Sequence, residues 1–334
     1  MRRVTRVLLI FFPIAALTAW GTLAIYYSNL PAAVRPFVAG LFATFGAAVL
    51  AWCFFSKYSW RPIVLFAIVF AILLAYWSSI EPKQDRDWAP EYARLAYATV
   101  NGDQVTLHNI RNFDYRTETD FTPRYYAKTF DLAQLDSVDI IASYWAGDAI
   151  AHIIVSFGFA GKDFLAVSIE TRRERNETYS SIAGFFKQYG LFYVVADERD
   201  LVRLRTNYRK DPPEDVYLYR IRGSASDNAR RFFLDYIRKI NSLAEKPEFY
   251  NTLTTNCITS VLTHSRVNPG SHPLSWKILL SGYVPQYLHE RQAVDTSLPF
   301  EELRSRSRIN AAARAADKAA DFSQRIRVGL PAPG

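Results

Sequence analysis

Three long apolar stretches occupy the first quarter of the chain and constrain its fold more than any other feature. They run through Val7–Tyr27, Phe37–Phe55 and Ile63–Ser79, and residues 1–80 contain no Asp or Glu. Each stretch is close to the roughly 20 residues that an α-helix needs to cross the hydrocarbon core of a bilayer. The first stretch is longer than the apolar region of a signal peptide, and two more follow it. We therefore predict a membrane anchor over residues 1–80 with three transmembrane helices.

The basic residues of the anchor predict its orientation. Five of the six precede the first stretch or lie between the second and the third: Arg2, Arg3, Arg6, Lys57 and Arg61. The remaining loop carries only Arg35. Because cytoplasmic loops are enriched in Lys and Arg, we expect the N-terminus in the cytoplasm and everything after residue 80 outside. In a Gram-negative cell this is an inner-membrane protein with a periplasmic domain.

The net charge of +8 is concentrated in that anchor. Beyond residue 80 the chain carries 34 basic and 32 acidic residues, which is nearly neutral. A domain that binds phosphate backbones needs clustered cations that would change this balance, so we predict no nucleic-acid partner. With only two cysteines, Cys53 in an apolar run and Cys257 in a polar one, a disulfide framework is excluded.

Residues 81–300 have the pattern of a mixed domain of the α+β class. Short runs rich in Ile, Val and Phe predict two hairpins, one across Asn101-Gly102 and one across Gly158–Asp163. Helical spacing of apolar residues predicts helices over Ala229–Ala244 and Cys257–His264. The stretch that follows, residues 301–334, is rich in Ala and Arg. Its apolar face is small, so we predict a solvated, partly frayed tail rather than a helix on the membrane surface.

Known metal and cofactor motifs are absent from the sequence. The five histidines form no pair at helical ligand spacing, and there is no CxxC, HExxH, GxSxG or Walker-type glycine loop. We therefore predict a site without metal or cofactor. Cys257 is the remaining reactive candidate.

Cys257 lies at the predicted first turn of a helix, directly after Thr255 and Asn256. The positive end of the helix dipole would stabilise a thiolate and lower the pKa of Cys257 toward neutrality. Backbone N–H groups of that turn could form an oxyanion hole, and Asn256, Tyr250 and Ser168 are candidate substrate or oxyanion contacts. A small core cysteine is the alternative interpretation of Cys257.

A thiol nucleophile needs a base, and His152 is the best placed by residue type. It lies at the centre of a predicted buried strand, where it could equally be a core histidine that bonds a backbone group. His264 lies on the helix of Cys257 but about 10 Å along its axis, too far for a direct bond. We choose Glu170 as the group that orients His152, with Ser168 as the competitor; the hairpin register decides between them.

Several strings resemble the periplasmic domain of the Lnb-type lipoprotein N-acyltransferases. They are AHIIVSFGF, FLAVSIETRRE, FFKQYGLFYVVADERDLVRLR and FYNTLTTNCITSV, and the similarity covers about residues 130 to 265. The order of a strand histidine and then a helix-start cysteine is similar to a circularly permuted papain-like, NlpC-type thiol fold. The Asn-Cys pair also resembles the lecithin:retinol acyltransferase branch of that superfamily.

The resemblance implies that His152 and Cys257 take the catalytic positions. It also implies transfer of a fatty acyl chain through a Cys257 thioester, from a phospholipid donor to the N-terminal amine of a lipoprotein acceptor. Two other functions stay open at this point. The same residues could serve a periplasmic cysteine peptidase or amidase, or they could be core residues of a non-catalytic membrane-anchored binding or assembly module.

Overall fold

A computed structural model describes residues 2–55, 60–223, 227–270 and 273–333, without the side chains of residues 2–8. Lys57 and His272 therefore lie outside the described residues, as do the side chains of Arg2, Arg3 and Arg6. The chain divides into two compact units. The helical unit comprises residues 1–83 and 179–190, and the sheet unit comprises residues 84–178 and 191–334.

The helical unit contains the three predicted spans. They form the helices α1 (Arg2–Tyr26), α2 (Arg35–Phe55) and α3 (Trp60–Ser79), and all three are long and apolar enough to cross a membrane. Phe42 and Phe66 lie in the small core between them. Most of the large apolar side chains outside that core are exposed, Leu9 at 71% and Ile72 at 65%. Such helices suit a hydrocarbon solvent, and the chain has a membrane anchor.

Residues 179–190 pack on the end of α3. The Lys187 ammonium donates to the carbonyls of Trp77 at 2.8 Å and Ile80 at 3.0 Å. The Phe186 ring stacks on Tyr27, with ring centroids 5.7 Å apart. Because the last carbonyls of a helix have no partner within the helix, Lys187 satisfies groups that would otherwise need water.

The sheet unit is built on one large, mostly antiparallel sheet. Its strand order is β1-β2-β9-β8-β7-β6-β10, with β5 paired to β2, and β3 and β4 form a separate small ladder. The bounds are β1 Tyr97–Asn101, β2 Gln104–Arg111, β3 Asp114–Tyr115, β4 Phe121–Thr122, β5 Tyr125–Asp131, β6 Leu135–Tyr144, β7 Ala151–Phe159, β8 Asp163–Arg172, β9 Gly190–Asp197 and β10 Asp215–Arg220. Both predicted hairpins are confirmed, as β1–β2 and β7–β8.

Helices cover both faces of this sheet. They are α4 Glu198–Arg203, α5 Asp227–Glu245, α6 Cys257–Ser265, α7 Trp276–Leu279, α8 Val284–Glu290, α9 Phe300–Arg306, α10 Asn310–Ala315 and α11 Phe322–Arg325. On one face, Phe157 of β7 packs against Phe233 and Tyr236 of α5. On the other, Ile154 belongs to a core that includes Ile309 and Phe322. The predicted mixed α and β class is confirmed.

The prediction of a solvated C-terminal tail is wrong. Ile309, Ala313 and Phe322 are fully buried in the core on the Ile154 face of the sheet. Arg327 reaches the buried carboxylates of Glu198, at 2.6 Å, and Asp139, at 2.8 Å. The apolar residues of this segment are few, but short successive helices point them all at one face of the sheet.

Replacement of Arg327 tests whether this segment belongs to the core. We expect Arg327→Ala to lower the free energy of unfolding of the sheet unit by about 3–5 kcal/mol, because it leaves the buried Glu198 carboxylate without its cation. The matched control is Arg325→Ala, since Arg325 pairs with Asp321 on the surface; we expect a loss below about 1 kcal/mol. Urea unfolding of the full chain in detergent, followed by circular dichroism, measures both. Equal losses would contradict the core position of Arg327.

Candidate active site

The site lies where β8 separates from β7. The paired residues of the two strands end at Ile154 and Ser168, although β7 begins at Ala151. At its start, the Ala151 N–H donates to Ser281 Oγ at 3.0 Å, and the Ala151 carbonyl accepts from the same hydroxyl at 2.6 Å. Ser281 thus makes the hydrogen bonds to Ala151 that the neighbouring strand β8 would otherwise make. The edge of β7 around His152 and Ile153 is therefore open to groups outside the sheet.

The His152 ring contacts the Ser168 hydroxyl, and that hydroxyl in turn contacts the Glu170 carboxylate. Its Nε2 lies 2.5 Å from Ser168 Oγ, and Ser168 Oγ donates to Glu170 Oε1 at 2.8 Å. Because Ser168 gives its one proton to Glu170, it accepts from His152. The ring is then protonated at Nε2, and Nδ1 is its basic nitrogen. Our choice of Glu170 as the direct partner is corrected: Ser168 contacts the ring, and Glu170 Oε1 stands 3.7 Å away.

A buried cluster of charges adjoins this relay. The Arg205 guanidinium contacts Glu170 at 3.3 Å and Glu214 at 3.0 Å, and its side chain is 4% exposed. Burial raises the pKa of Glu170, but His152 and the Arg205 cation outweigh burial and hold that pKa well below its usual range. Burial and the Arg205 cation lower the pKa of His152. At neutral pH the site therefore contains a carboxylate and a neutral imidazole.

Cys257 is the first residue of α6, as the sequence predicted, and Asn256 caps the helix. The Asn256 Oδ1 accepts from the N–H groups of Ile258, at 2.9 Å, and Thr259, at 2.8 Å. Its side-chain amide donates to the Thr252 carbonyl at 2.7 Å. The expected oxyanion role of Asn256 is therefore not supported, because the capping box already uses its polar atoms. The backbone N–H of Cys257 itself faces the sulfur.

The sulfur of Cys257 lies at the open edge of β7. The backbone N–H of Ile153, the residue after His152, lies close enough to the sulfur to favour the thiolate. Since side chains alternate along a strand, His152 shares the face of Ile154, whereas Ile153 points toward the other face. Cys257 thus reaches the strand edge between the two faces, and its sulfur senses the charges of Arg205 and Glu170.

The pKa of Cys257 is raised, contrary to our expectation from the helix dipole. Burial is the largest cause, and it outweighs the Ile153 N–H and the Arg205 cation, both of which lower the pKa. The resting site therefore contains an un-ionised thiol and a neutral imidazole, not a preformed ion pair. A polar sequence around Cys257 could not reveal this, because the burial comes from strands distant in the chain.

Tyr250 and His264 are the other two residues that the sequence analysis named. Tyr250 is buried just before the turn that leads to Asn256. His264 bonds Asp235 at 2.8 Å and Tyr193 at 2.8 Å, which ties α6 to α5 and β9. It is a positioning group for the helix that carries Cys257.

Sequence reasoning missed Arg205, Glu214 and Ser281. Arg205 closes the third string that we quoted for the resemblance, and a cation inside an apolar run could have marked it as paired. It lies on a π-helical turn, Leu204–Tyr208, a local feature that often accompanies functional sites. No local signal pointed to Ser281. Within the described parts of the chain, no group of three or more His, Cys, Asp or Glu side chains could hold a metal ion.

The raised pKa of Cys257 predicts how its alkylation depends on pH. In the Cys53→Ala variant, where Cys257 is the remaining thiol, we expect slow reaction with iodoacetamide at neutral pH. A raised pKa means that the thiolate appears only as the pH rises, so the rate should increase through the alkaline range. The same chain in urea, with Cys257 exposed, is the control and should react faster at pH 7. A fast, pH-independent reaction of the folded chain would contradict the assigned protonation state.

Comparison with known protein families identifies a domain in this part of the chain. Residues 121–282 match the family model of the Lnb N-terminal periplasmic domain. The matched range contains His152, Ser168, Arg205, Cys257 and Ser281. No curated protein and no solved structure gave a match. Residues 121–282 therefore form an Lnb N-terminal periplasmic domain, and three helices that are long and apolar enough to cross a membrane precede it in the chain.

Proposed function

We propose that this protein is a thiol acyltransferase that moves a fatty acyl chain from a phospholipid to the N-terminal amine of a lipoprotein. The observation that carries the proposal is the meeting of two elements at one open strand edge: β7 with its relay His152–Ser168–Glu170, and the Cys257 end of α6. The family match makes acyl transfer the first choice among thiol chemistries.

The first half-reaction forms a thioester. His152 Nδ1 takes the thiol proton as Cys257 Sγ attacks the ester carbonyl of the phospholipid. This needs Sγ and Nδ1 to come within hydrogen-bond reach when substrate binds, since such bonds often tighten only in the complex. The Cys257 N–H donates to the oxyanion. The C–O bond then breaks, and the imidazolium gives its proton to the departing glycerol oxygen of the lysophospholipid.

The second half-reaction transfers the acyl group from Cys257 to the lipoprotein. The lipoprotein amine attacks the thioester carbonyl, and His152 takes a proton from the amine. The C–S bond breaks, the imidazolium reprotonates the sulfur, and an amide remains. Glu170 stabilises the imidazolium of both steps through Ser168. A neutral imidazole and an un-ionised thiol suit this route, because the base acts during attack rather than before it.

The anchor supports lipid substrates. One chain joins the helices α1–α3 to the sheet unit, so the site stays near the membrane that contains both lipid donor and lipidated acceptor. Such tethering raises the effective concentration of substrate without any new contact. The distribution of basic residues supports an inner-membrane location with the N-terminus in the cytoplasm.

Detection of an acyl group on Cys257 tests the proposed function. Purified full chain in nanodiscs of phosphatidylethanolamine should gain the mass of one acyl group at Cys257, released by hydroxylamine. We expect His152→Ala to slow this gain by about 10²–10⁴-fold, the usual contribution of a general base. Cys53→Ser is the matched control and should acylate like the parent chain. Intact mass spectrometry over a time course measures all three.

Two outcomes would contradict the proposal. An adduct that persists in Cys257→Ala would show that the acyl group sits elsewhere. No adduct on the parent chain, together with cleavage of amide substrates, would favour the peptidase or amidase alternative, which uses the same machinery.

A further inference from the structure

A cavity of about 470 Å³ lies along α6, the helix that begins at Cys257. Ile258, Val261 and Leu262 line it from α6. Ile258 directly follows Cys257, and Val261 lies one helical turn beyond Cys257. On α6 the lining therefore begins at Ile258, the residue after Cys257, and continues down the helix to Ser265, a distance of about 10 Å at 1.5 Å per residue.

The walls of the cavity come from elements of the sheet unit and are mostly apolar. They include Val138 and Ile140 of β6, Phe232 of α5, Ile278 of α7 and Val284 of α8. Four of these side chains are aliphatic and one is aromatic. Its volume falls within the range of about 300–1,000 Å³ that is typical of small-molecule sites.

The charges of the lining favour one class of occupant. Among the described residues that line the cavity, none is acidic, and Arg222 alone is charged. Arg222 is exposed and belongs to the rim, as does Asn228. An extended peptide would bury N–H and C=O groups against aliphatic walls without partners, which is costly. A hydrocarbon chain has no such groups.

We propose that this cavity binds the hydrocarbon chain of the acyl group while its carbonyl is attached to, or attacked by, Cys257. The inference rests on the proposed function, since it takes the Cys257 thioester as the head of the bound chain. It adds a specificity determinant: the size of the cavity limits which chain lengths the enzyme takes. Phe232 and Ala293 are the positions where that size can be changed in opposite directions.

Chain-length competition tests the proposal. The full chain is offered equal amounts of phosphatidylethanolamines with dodecanoyl, palmitoyl and stearoyl chains, and the thioesters at Cys257 are quantified by mass spectrometry. We expect Ala293→Phe to shift the ratio toward the short chain and Phe232→Ala toward the long one. Each shift should reach about tenfold, as for one or a few methylenes in a shaped pocket.

Controls separate a change of the cavity from damage to the fold. Ala311→Phe adds the same bulk at an exposed position of the sheet unit and should leave the ratio unchanged. If Ala293→Phe does not fold by circular dichroism, Phe232→Ala alone decides. Equal ratios in the parent chain and in a folded cavity variant would overturn the proposal.

A second measurement does not depend on catalysis. A diazirine-bearing palmitic acid is photolysed with the Cys257→Ala chain, and the labelled peptides are mapped. Labelling of residues 258–265 and 278–288, reduced in Ala293→Phe, supports the cavity as the chain site. Labelling that omits these peptides overturns it. If the parent chain forms no thioester but these peptides are labelled, the proposed function fails while the cavity assignment stands.

Discussion

The separation of β8 from β7 is the feature on which the rest of the site depends. If the two strands were paired along their full length, the Ile153 N–H would donate to β8. The Cys257 sulfur would then have no open edge of β7 beside it. Because the pairing stops at Ile154 and Ser168, one strand end presents His152 and a backbone donor side by side. Ser281 satisfies the freed backbone of Ala151, so the opening leaves no polar group of Ala151 without a partner.

Burial determines the protonation states of the groups at this open strand edge. It raises the pKa of Cys257 and lowers that of His152, so both groups rest uncharged. Glu170 and Arg205 stay charged and pair with each other behind the relay. Their effects on the sulfur oppose one another: Arg205 favours a thiolate and Glu170 disfavours it. In the reaction that we propose, the thiol would ionise only when a base and a substrate are both in place.

Local patterns in the sequence predicted the framework of this site. Runs rich in Ile, Val and Phe located β7 and β8, and the Asn256 cap located the start of α6 at Cys257, because both signals depend on neighbouring residues only. The pairing of Arg205 with Glu170 and Glu214 joins segments far apart in the chain, so no local pattern contains it. The same reason explains two errors. The sign of the Cys257 shift depends on distant strands that bury it, and the Arg327 segment gains its core position from partners in β6 and α4.

The fate of a preformed acyl enzyme tests the central claim most directly. The Cys257 thioester is formed with a radiolabelled palmitoyl phospholipid, freed of donor, and mixed with a diacylglyceryl-cysteine peptide that has an unblocked α-amine. An N-acetylated peptide serves as the control. The account predicts that label leaves Cys257 and appears as an amide on the unblocked peptide, at a rate that rises with its concentration. Release of the label as free fatty acid, at the same rate with either peptide, would contradict acyl transfer.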